Sequence, residues 1–377
     1  MMRVATTPRP EWQSKVEEYG MTYHTIDGEI YWDESAYYIF SSSEIDTFEA
    51  VTSELHEMCI TAVDHIITHQ LYDLMQIPAL AVPLIERSWK DDDPSILGRF
   101  DLAYDGNSPP KMLEYNADTP TALLEASVIQ WFWLKERFPD ADQFNSIHEK
   151  LINGWASQNP NNSATLFFSC AKNTSEDLGN LEYLRDTAMQ AGFQTERLFI
   201  EDIGYDSTSA RFVDNNNMVI EQLFKLYPWE WLLSESFGCH INNAAISLIE
   251  PSWKMILSNK AILPILWELN PHHPNLLEAS FDEKYFTDNF VSKPFLSREG
   301  CNINVHRGGK ITEYEGSYHD SATVYQRLAP LPCFDGNYPV LGSWVINGEP
   351  AGIGIREDKS EVTTNTSRFV PHLFRQY

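Results

Sequence analysis

Four polar residues with alternating spacing are the part of this sequence best equipped for chemistry. Arg99 and Asp101 lie two apart, as do Glu114 and Asn116, and Asp105-Gly106-Asn107-Ser108-Pro109-Pro110 between them is a run of turn formers. Residues two apart on a strand share one face. If segments 99–104 and 111–116 pair as a hairpin with Asp101 opposite Glu114, then Arg99 falls opposite Asn116. One face then carries a guanidinium, two carboxylates and a carboxamide. Asp101, Glu114 and Asn116 offer the hard oxygen donors that Mg²⁺ prefers. A guanidinium beside them can hold a transferring phosphoryl group. The same face would equally serve as a solvated patch of cross-strand ion pairs, and spacing alone does not choose between the two.

The elements around this hairpin can be read from periodicity. A helix is predicted over 43–75, opened by Ser43-x-x-Asp46 and carrying Phe48, Val51, Leu55, Met58, Ala62 and Ile66 at helical spacing. A second is predicted over about 122–138. From 164 to 226 the pattern becomes strand, helix, strand, with strands at 165–168, 197–200 and 218–220 and a helix over 181–191 closed by Gly192. That order predicts a parallel α/β unit inserted in the middle of the chain. A helix over 254–269 leads into a C-terminal third made mainly of strands, at 322–328, 339–346 and 351–355. The last two are joined by a turn containing Asn347-Gly348. The expected class is α/β (α+β), with the inserted parallel unit and a mainly antiparallel C-terminal sheet. Three parts are expected: 1–140 with the hairpin, 141–250 as the insertion, and 251–377 as a C-terminal lobe.

Bulk properties narrow the function. The chain has 377 residues, 43% of them hydrophobic, with 54 acidic against 27 basic side chains and a formal charge of −27. Such a field repels nucleic acid and anionic membranes, so neither is an expected partner, whereas cations are attracted. A polyphosphate would need local positive charge. No apolar run approaches spanning length and the first ten residues hold no signal-peptide core. The five cysteines, Cys59, Cys170, Cys239, Cys301 and Cys333, are scattered and odd in number, as expected of reduced thiols in the cytoplasm. Gly308-Gly309-Lys310 is no phosphate loop, since residue 304 is Asn, and His272-His273 between two prolines reads as a loop.

Further segments, in order, give the chain a resemblance to the glutathionylspermidine synthase family of ATP-grasp ligases. Gly98-Arg99-Phe100-Asp101 and Glu114-Tyr115-Asn116-Ala117-Asp118-Thr119-Pro120-Thr121 resemble the family's R-x-D and E-Y-N-A-D segments. Ser258-Asn259-Lys260-Ala261 resembles its first nucleotide-lysine segment. Lys293-Pro294-Phe295-Leu296-Ser297-Arg298-Glu299-Gly300 resembles the second lysine strand and the phosphate-covering loop. Tyr325-Gln326-Arg327-Leu328 resembles the adenine-side hinge, and Arg356 the arginine that ends a strand near the C-terminus. Each match is weak alone; five in order, from roughly 90 to 360, are not.

The resemblance implies an ATP-grasp fold and an ATP-dependent ligase joining a small acid to an amine with release of ADP. By the same resemblance Asp101, Glu114 and Asn116 would be ligands of two Mg²⁺ ions and Arg99 would stabilise the transition state. Lys260 and Lys293 would hold the phosphates and Gly300 would sit in the lid. Gln326, Arg327 and Leu328 would lie near the adenine, with Arg99, Phe100, Asp101 and Arg356 completing the nucleotide site. Thr119 and Thr121 stand at the family's substrate-side serine positions, while Leu226 replaces its glutathione-binding threonine. Only 98 residues precede Arg99, so the amidase domain of bifunctional members is expected to be absent. The amine is expected to be cationic. A non-catalytic nucleotide-binding protein on the same scaffold, or an ATP-dependent peptide ligase, are the competing readings.

Overall fold

The computed structural model describes residues 1–158, 164–319 and 321–375. Its largest antiparallel sheet has the strand order Arg368–Phe369, Glu349–Asp358, Tyr338–Ile346, Leu97–Ala103, Lys111–Asn116. The expected hairpin therefore forms the edge of a sheet completed by strands from near the C-terminus. Its register pairs Arg99 with Asn116 and Asp101 with Glu114, as the spacing predicts, with an irregularity just after Asp101. Asn347 and Gly348 join the two long strands with φ of 50° and 80°, the pair of positive values that a tight primed turn requires.

A helix over Ser42–Thr68 packs on this sheet through Phe48, Val51, Leu55, Cys59, Ala62 and Ile66. Its N-cap is Ser41, whose hydroxyl accepts from the Glu44 amide while Glu44 reaches back to the Ser41 amide. The start expected at Ser43-x-x-Asp46 is thus shifted by two residues. The helix also ends before 75: Gln70, at φ 53°, breaks the ladder and the chain turns. Likewise the helix expected from Ala122 starts only beyond it, because Ala122 has φ 65°; it is π-helical over Glu125–Ile129 and α-helical over Gln130–Arg137.

The middle of the chain forms a four-stranded parallel sheet in the order Ser247–Ile249, Gln222–Leu226, Leu166–Cys170, Thr195–Phe199. Leu166–Cys170 is buried at every position, as a strand covered on both faces should be. The strand expected at 218–220 does not form. Asp214 accepts the amides of Asn216 and Met218 in a turn, and Met218 and Val219 are exposed; the strand begins at Gln222. A third sheet, Ala279–Ser280, Thr323–Arg327, Phe290–Pro294, Asn304–Arg307, Lys310–Glu313, is antiparallel. The single helix expected over 254–269 is two, Lys254–Leu257 and Ile262–Leu269. The break places Lys260 by hydrogen-bonding its amide to the Phe295 carbonyl at 2.9 Å.

A buried ion pair ties the parallel sheet to the hairpin. Lys225 Nζ donates to Asp118 Oδ1 at 2.5 Å, and Asp118 Oδ2 accepts the Trp229 amide at 2.8 Å. Both side chains are almost wholly excluded from water. Removing one partner leaves the other charge stranded, so Asp118→Ala should cost about 3–5 kcal/mol of folding free energy. Urea unfolding measures it; a loss below about 1 kcal/mol would show that water or another group replaces the carboxylate. Among the described residues no helix is long and apolar enough to cross a membrane, and all five cysteines are free.

Candidate active site

Arg99 and Asp101 lie on one face of the strand Leu97–Ala103 and grip each other. Arg99 donates from Nε to Asp101 Oδ1 at 2.8 Å and from Nη2 to Oδ2 at 3.2 Å, and its Nη1 reaches the Thr121 carbonyl at 2.7 Å. The neighbouring strand contributes Gly342 opposite Asp101, where a Cβ would fall 2.8 Å from Arg99 Cδ. Glycine there leaves room for the arginine stem. Phe100 points the other way and stacks on Tyr115 with ring centroids 3.8 Å apart, so its side chain belongs to the core and reaches neither cavity.

On the second strand Glu114 meets Lys260, whose Nζ is 3.1 Å from Glu114 Oε2 and donates to the Ser297 carbonyl at 2.6 Å. Lys293 Nζ donates to the Leu113 carbonyl at 3.0 Å and to Gln326 Oε1 at 2.8 Å. Burial would raise the Glu114 carboxyl, yet Lys260 and then Lys293 hold it down to about 2. Burial draws the Lys293 ammonium down to about 8, with Glu114 opposing and Lys260 assisting. Two buried cations facing one carboxylate form the local positive charge that a polyphosphate would need in so acidic a chain.

Two cavities meet here. The smaller, of about 90 Å³, is lined by Lys260, Lys293, Gln326, Arg327 and Leu328. The larger, of about 220 Å³, is lined by Arg99, Asn116, Thr119, Thr121 and Arg356, which gathers the loop carbonyls of Thr364, Asn365 and Ser367. Arg356 therefore stands with Arg99, away from Gln326, Arg327 and Leu328. Asp101, Glu114 and Gly300 border both cavities. Gly300 has φ 73°, and a Cβ there would fall 2.6 Å from the Thr363 carbonyl oxygen. Only glycine lets the turn after Phe290–Pro294 lie this close over the junction.

Sequence reasoning placed Arg298 and Glu299 only in the covering loop and left Asp177 and Trp231 out of the site. Arg298 donates to Thr119 Oγ1 at 3.1 Å and to Glu230 at 2.5 Å, and its Nε is buried without a partner. Trp231, Asp177 and Glu299 line the larger cavity too. Burial, and then the adjacent Glu176, pushes the Asp177 carboxyl up to about 6. Glu176 and Asp177 read in sequence as an ordinary acidic first turn of the helix Ser175–Gln190, and nothing local marks Asp177 as facing a site built from distant segments.

The donor set fits a hard divalent cation. The Asn116 amide nitrogen is 3.2 Å from Asp101 Oδ2 and 3.3 Å from Glu114 Oε1. Two carboxylate oxygens from different strands thus converge on the Asn116 amide nitrogen, and the depressed Glu114 is ionised, so that these two carboxylates and the carboxamide oxygen are donors of the kind such a cation takes.

The whole chain matches known proteins of this construction. Residues 3–375 match the family model described as glutathionylspermidine synthase preATP-grasp, and the chain belongs to that family. It is 43% identical over 392 residues to a Haemophilus influenzae protein whose name, acid–amine ligase, is provisional; the match covers 99% of this chain and 100% of that one. The bifunctional glutathionylspermidine synthetase/amidase of Escherichia coli is 28% identical, over 89% of this chain. The trypanothione synthetase of Crithidia fasciculata is 27% identical, over 95% of it. The matches cover 58% and 57% of those two proteins, which are therefore longer than this chain. A glutathione synthetase-like effector from Globodera pallida, solved in its apo form, shares the fold at a TM-score of 0.57 and 9% identity, over 97% of this chain and 96% of that one. The class is an ATP-dependent carbon–nitrogen ligase of the ATP-grasp type.

Proposed function

We propose that the protein is an ADP-forming acid–amine ligase that works through an acylphosphate, with ATP in the smaller cavity and the acid and amine in the larger. The observation that carries this reading is the shared wall: Asp101 and Glu114 border both cavities. A γ-phosphate held by Lys260 and Lys293 would reach the junction where a carboxylate beside Thr119, Thr121 and Arg298 could attack it. Asp101, Glu114 and Asn116 would hold Mg²⁺, which when bound supplies charge neutralisation to the transferring phosphoryl group. Arg99 would complete that neutralisation from the acid's side, and the Gly300 turn would exclude water. An amine then displaces phosphate from the activated carbonyl, giving the amide. The three-part division at about 140 and 250 belongs to the same proposal, with all three parts supplying residues to the larger cavity.

ADP release measured with pooled acids and amines tests the reading. Turnover should require ATP, Mg²⁺ and an acid, and should yield amide when an amine is added. Tight ATP binding with no acid-dependent ADP release would favour a nucleotide-binding regulator instead. The turn over 295–302 is proposed as a mobile cover, and ATP–Mg²⁺ should slow its cleavage by protease at least several-fold.

The amine is proposed to be cationic. Asp177 and Glu299 line the larger cavity, and the chain carries −27 overall. The kcat/KM for the amine should therefore fall steeply with salt, since exposed charge is screened over about 10 Å at 0.1 M. A flat profile, or preference for a neutral amine, would remove this part of the proposal and leave the ligase reading in place.

A further inference from the structure

Away from the two cavities that meet at Asp101 and Glu114, a hollow of about 750 Å³ shares no lining residue with either. Its apolar side comes from helix faces that the core leaves unused. The helix Gln130–Arg137 buries Gln130, Trp133 and Leu134, which leaves Trp131 half-buried and Phe132 outside the core. Phe132 is 39% exposed and stacks on Tyr19, itself 39% exposed, with ring centroids 4.1 Å apart and planes 6° from parallel. Val128, from the π-helical turn Glu125–Ile129, and Leu178, from the helix Ser175–Gln190, extend the apolar lining. Aromatic and aliphatic surface gathered in a hollow of this size, rather than scattered singly, marks a place where something binds.

The polar part of the lining is acidic. Glu149, Glu182 and Asp186 belong to it, and no lysine or arginine does. Glu182 is neutralised locally by Arg185 at 2.9 Å and Arg197 at 2.8 Å. Glu149 and Asp186 are exposed and form no ion pair among the described residues. Both stand beside Tyr183, a buried residue of the same lining. Asp186 lies one turn beyond Tyr183 on the same helix. Glu149 follows His148, whose Nδ1 is 3.1 Å from the Tyr183 hydroxyl. Burial pushes that hydroxyl up, and both carboxylates add to the rise. Lys135 Nζ lies 4.1 Å from the Trp131 ring centre, but it lines an adjoining surface hollow and not this one.

We propose that this hollow is a second ligand site, separate from the two cavities at Asp101 and Glu114, and that it takes an amphipathic cation. An aromatic or aliphatic body would cover Trp131, Phe132, Val128 and Leu178, and an ammonium would sit with Glu149 and Asp186. Each half of that chemistry is needed. A neutral ligand would leave two carboxylates unpaired, and an anion would meet their repulsion. A small polyamine would pair the carboxylates but leave the stacked rings in water. An ammonium is also favoured near aromatic faces, which carry the negative part of the ring quadrupole.

Dansylcadaverine tests the assignment, since it joins a fluorescent apolar ring system to one ammonium through a five-carbon tether. Its emission should rise and shift to the blue with wild type, saturating at one site per chain. Dansylglycine, the same ring system with a carboxylate, should bind at least about tenfold more weakly. Cadaverine, the tether without the rings, should fail to displace the probe at about tenfold excess. Val128→Trp fills the apolar side and should weaken binding at least about tenfold. Glu149→Lys combined with Asp186→Lys reverses the charge at two exposed positions, where folding tolerates it; it should weaken binding at least about tenfold and abolish the preference over dansylglycine. Loose attraction to a chain of net charge −27 would be spread over the surface and would survive both variants. Circular dichroism confirms folding, and either variant suffices if the other does not fold. No saturable binding, equal binding of the two dansyl compounds, or undiminished binding in a folded variant would overturn the proposal. Displacement of the probe by ATP–Mg²⁺ would place it in the cavity lined by Lys260 and Lys293 and overturn it equally.

Discussion

Glu114→Ala is expected to lose Mg²⁺-dependent ATP turnover by about a thousandfold or more while remaining folded. The magnitude follows from position. Glu114 lies on the boundary of both cavities, 3.1 Å from Lys260, and is held ionised by two lysines. Its loss removes a proposed metal ligand and also leaves Lys260 and Lys293 repelling each other. The fold should survive because each ammonium keeps an independent anchor: Lys260 on the Ser297 carbonyl, Lys293 on the Leu113 carbonyl and Gln326. Glu114→Gln is the sharper variant, since it preserves shape and removes only the charge. Steady-state ADP release, with circular dichroism to confirm folding, decides the matter. Turnover within about tenfold of wild type in a folded variant would mean that the metal is held elsewhere.

The hairpin was legible because its geometry is local. A strand's period of two and a turn-forming loop set Arg99 against Asn116 and Asp101 against Glu114 without reference to any other part of the chain. The parallel insertion was legible for the same reason, as a buried apolar strand followed by a capped helix. What failed did so where side chains or distant segments overrule local pattern. Met218-Val219-Ile220 has the composition of a strand, yet the Asp214 side chain captures two amides and turns the chain. The run 254–269 has helical periodicity throughout, yet the Lys260 amide is claimed by Phe295, just after the strand Phe290–Pro294. Gln70 and Ala122 adopt positive φ with no glycine to announce it. The site shows the same division. Residues within recognisable segments could be named in advance, whereas Asp177 and Trp231 become neighbours of the site only through the tertiary fold. Phe100, named for its place between Arg99 and Asp101, faces the core because strand alternation puts it there.

Arg99→Lys should be nearly as damaging as Arg99→Ala, and that equivalence is the test of what Arg99 does. The guanidinium makes three directed bonds at once, two to Asp101 and one to the Thr121 carbonyl, with its stem over Gly342. It thereby fixes a proposed metal ligand, the backbone of a proposed substrate residue and a charge proposed to face the transferring phosphoryl group. An ammonium carries the same charge but lacks the planar fork, so it cannot span both Asp101 oxygens and the carbonyl together. Removal of a preorganised cation at such a site costs about 10²–10³ in kcat, and lysine should recover no more than about tenfold of that. ATP affinity should change by less than about threefold in either variant, because the proposed phosphate anchors Lys260 and Lys293 line the smaller cavity, which Arg99 does not. Single-turnover ADP formation and calorimetric ATP binding separate the two effects. If lysine restores wild-type kcat, charge alone suffices and the bidentate clamp is irrelevant. If ATP binding collapses with kcat, Arg99 is a nucleotide anchor and the acid must reach the phosphate from another side of the cavity.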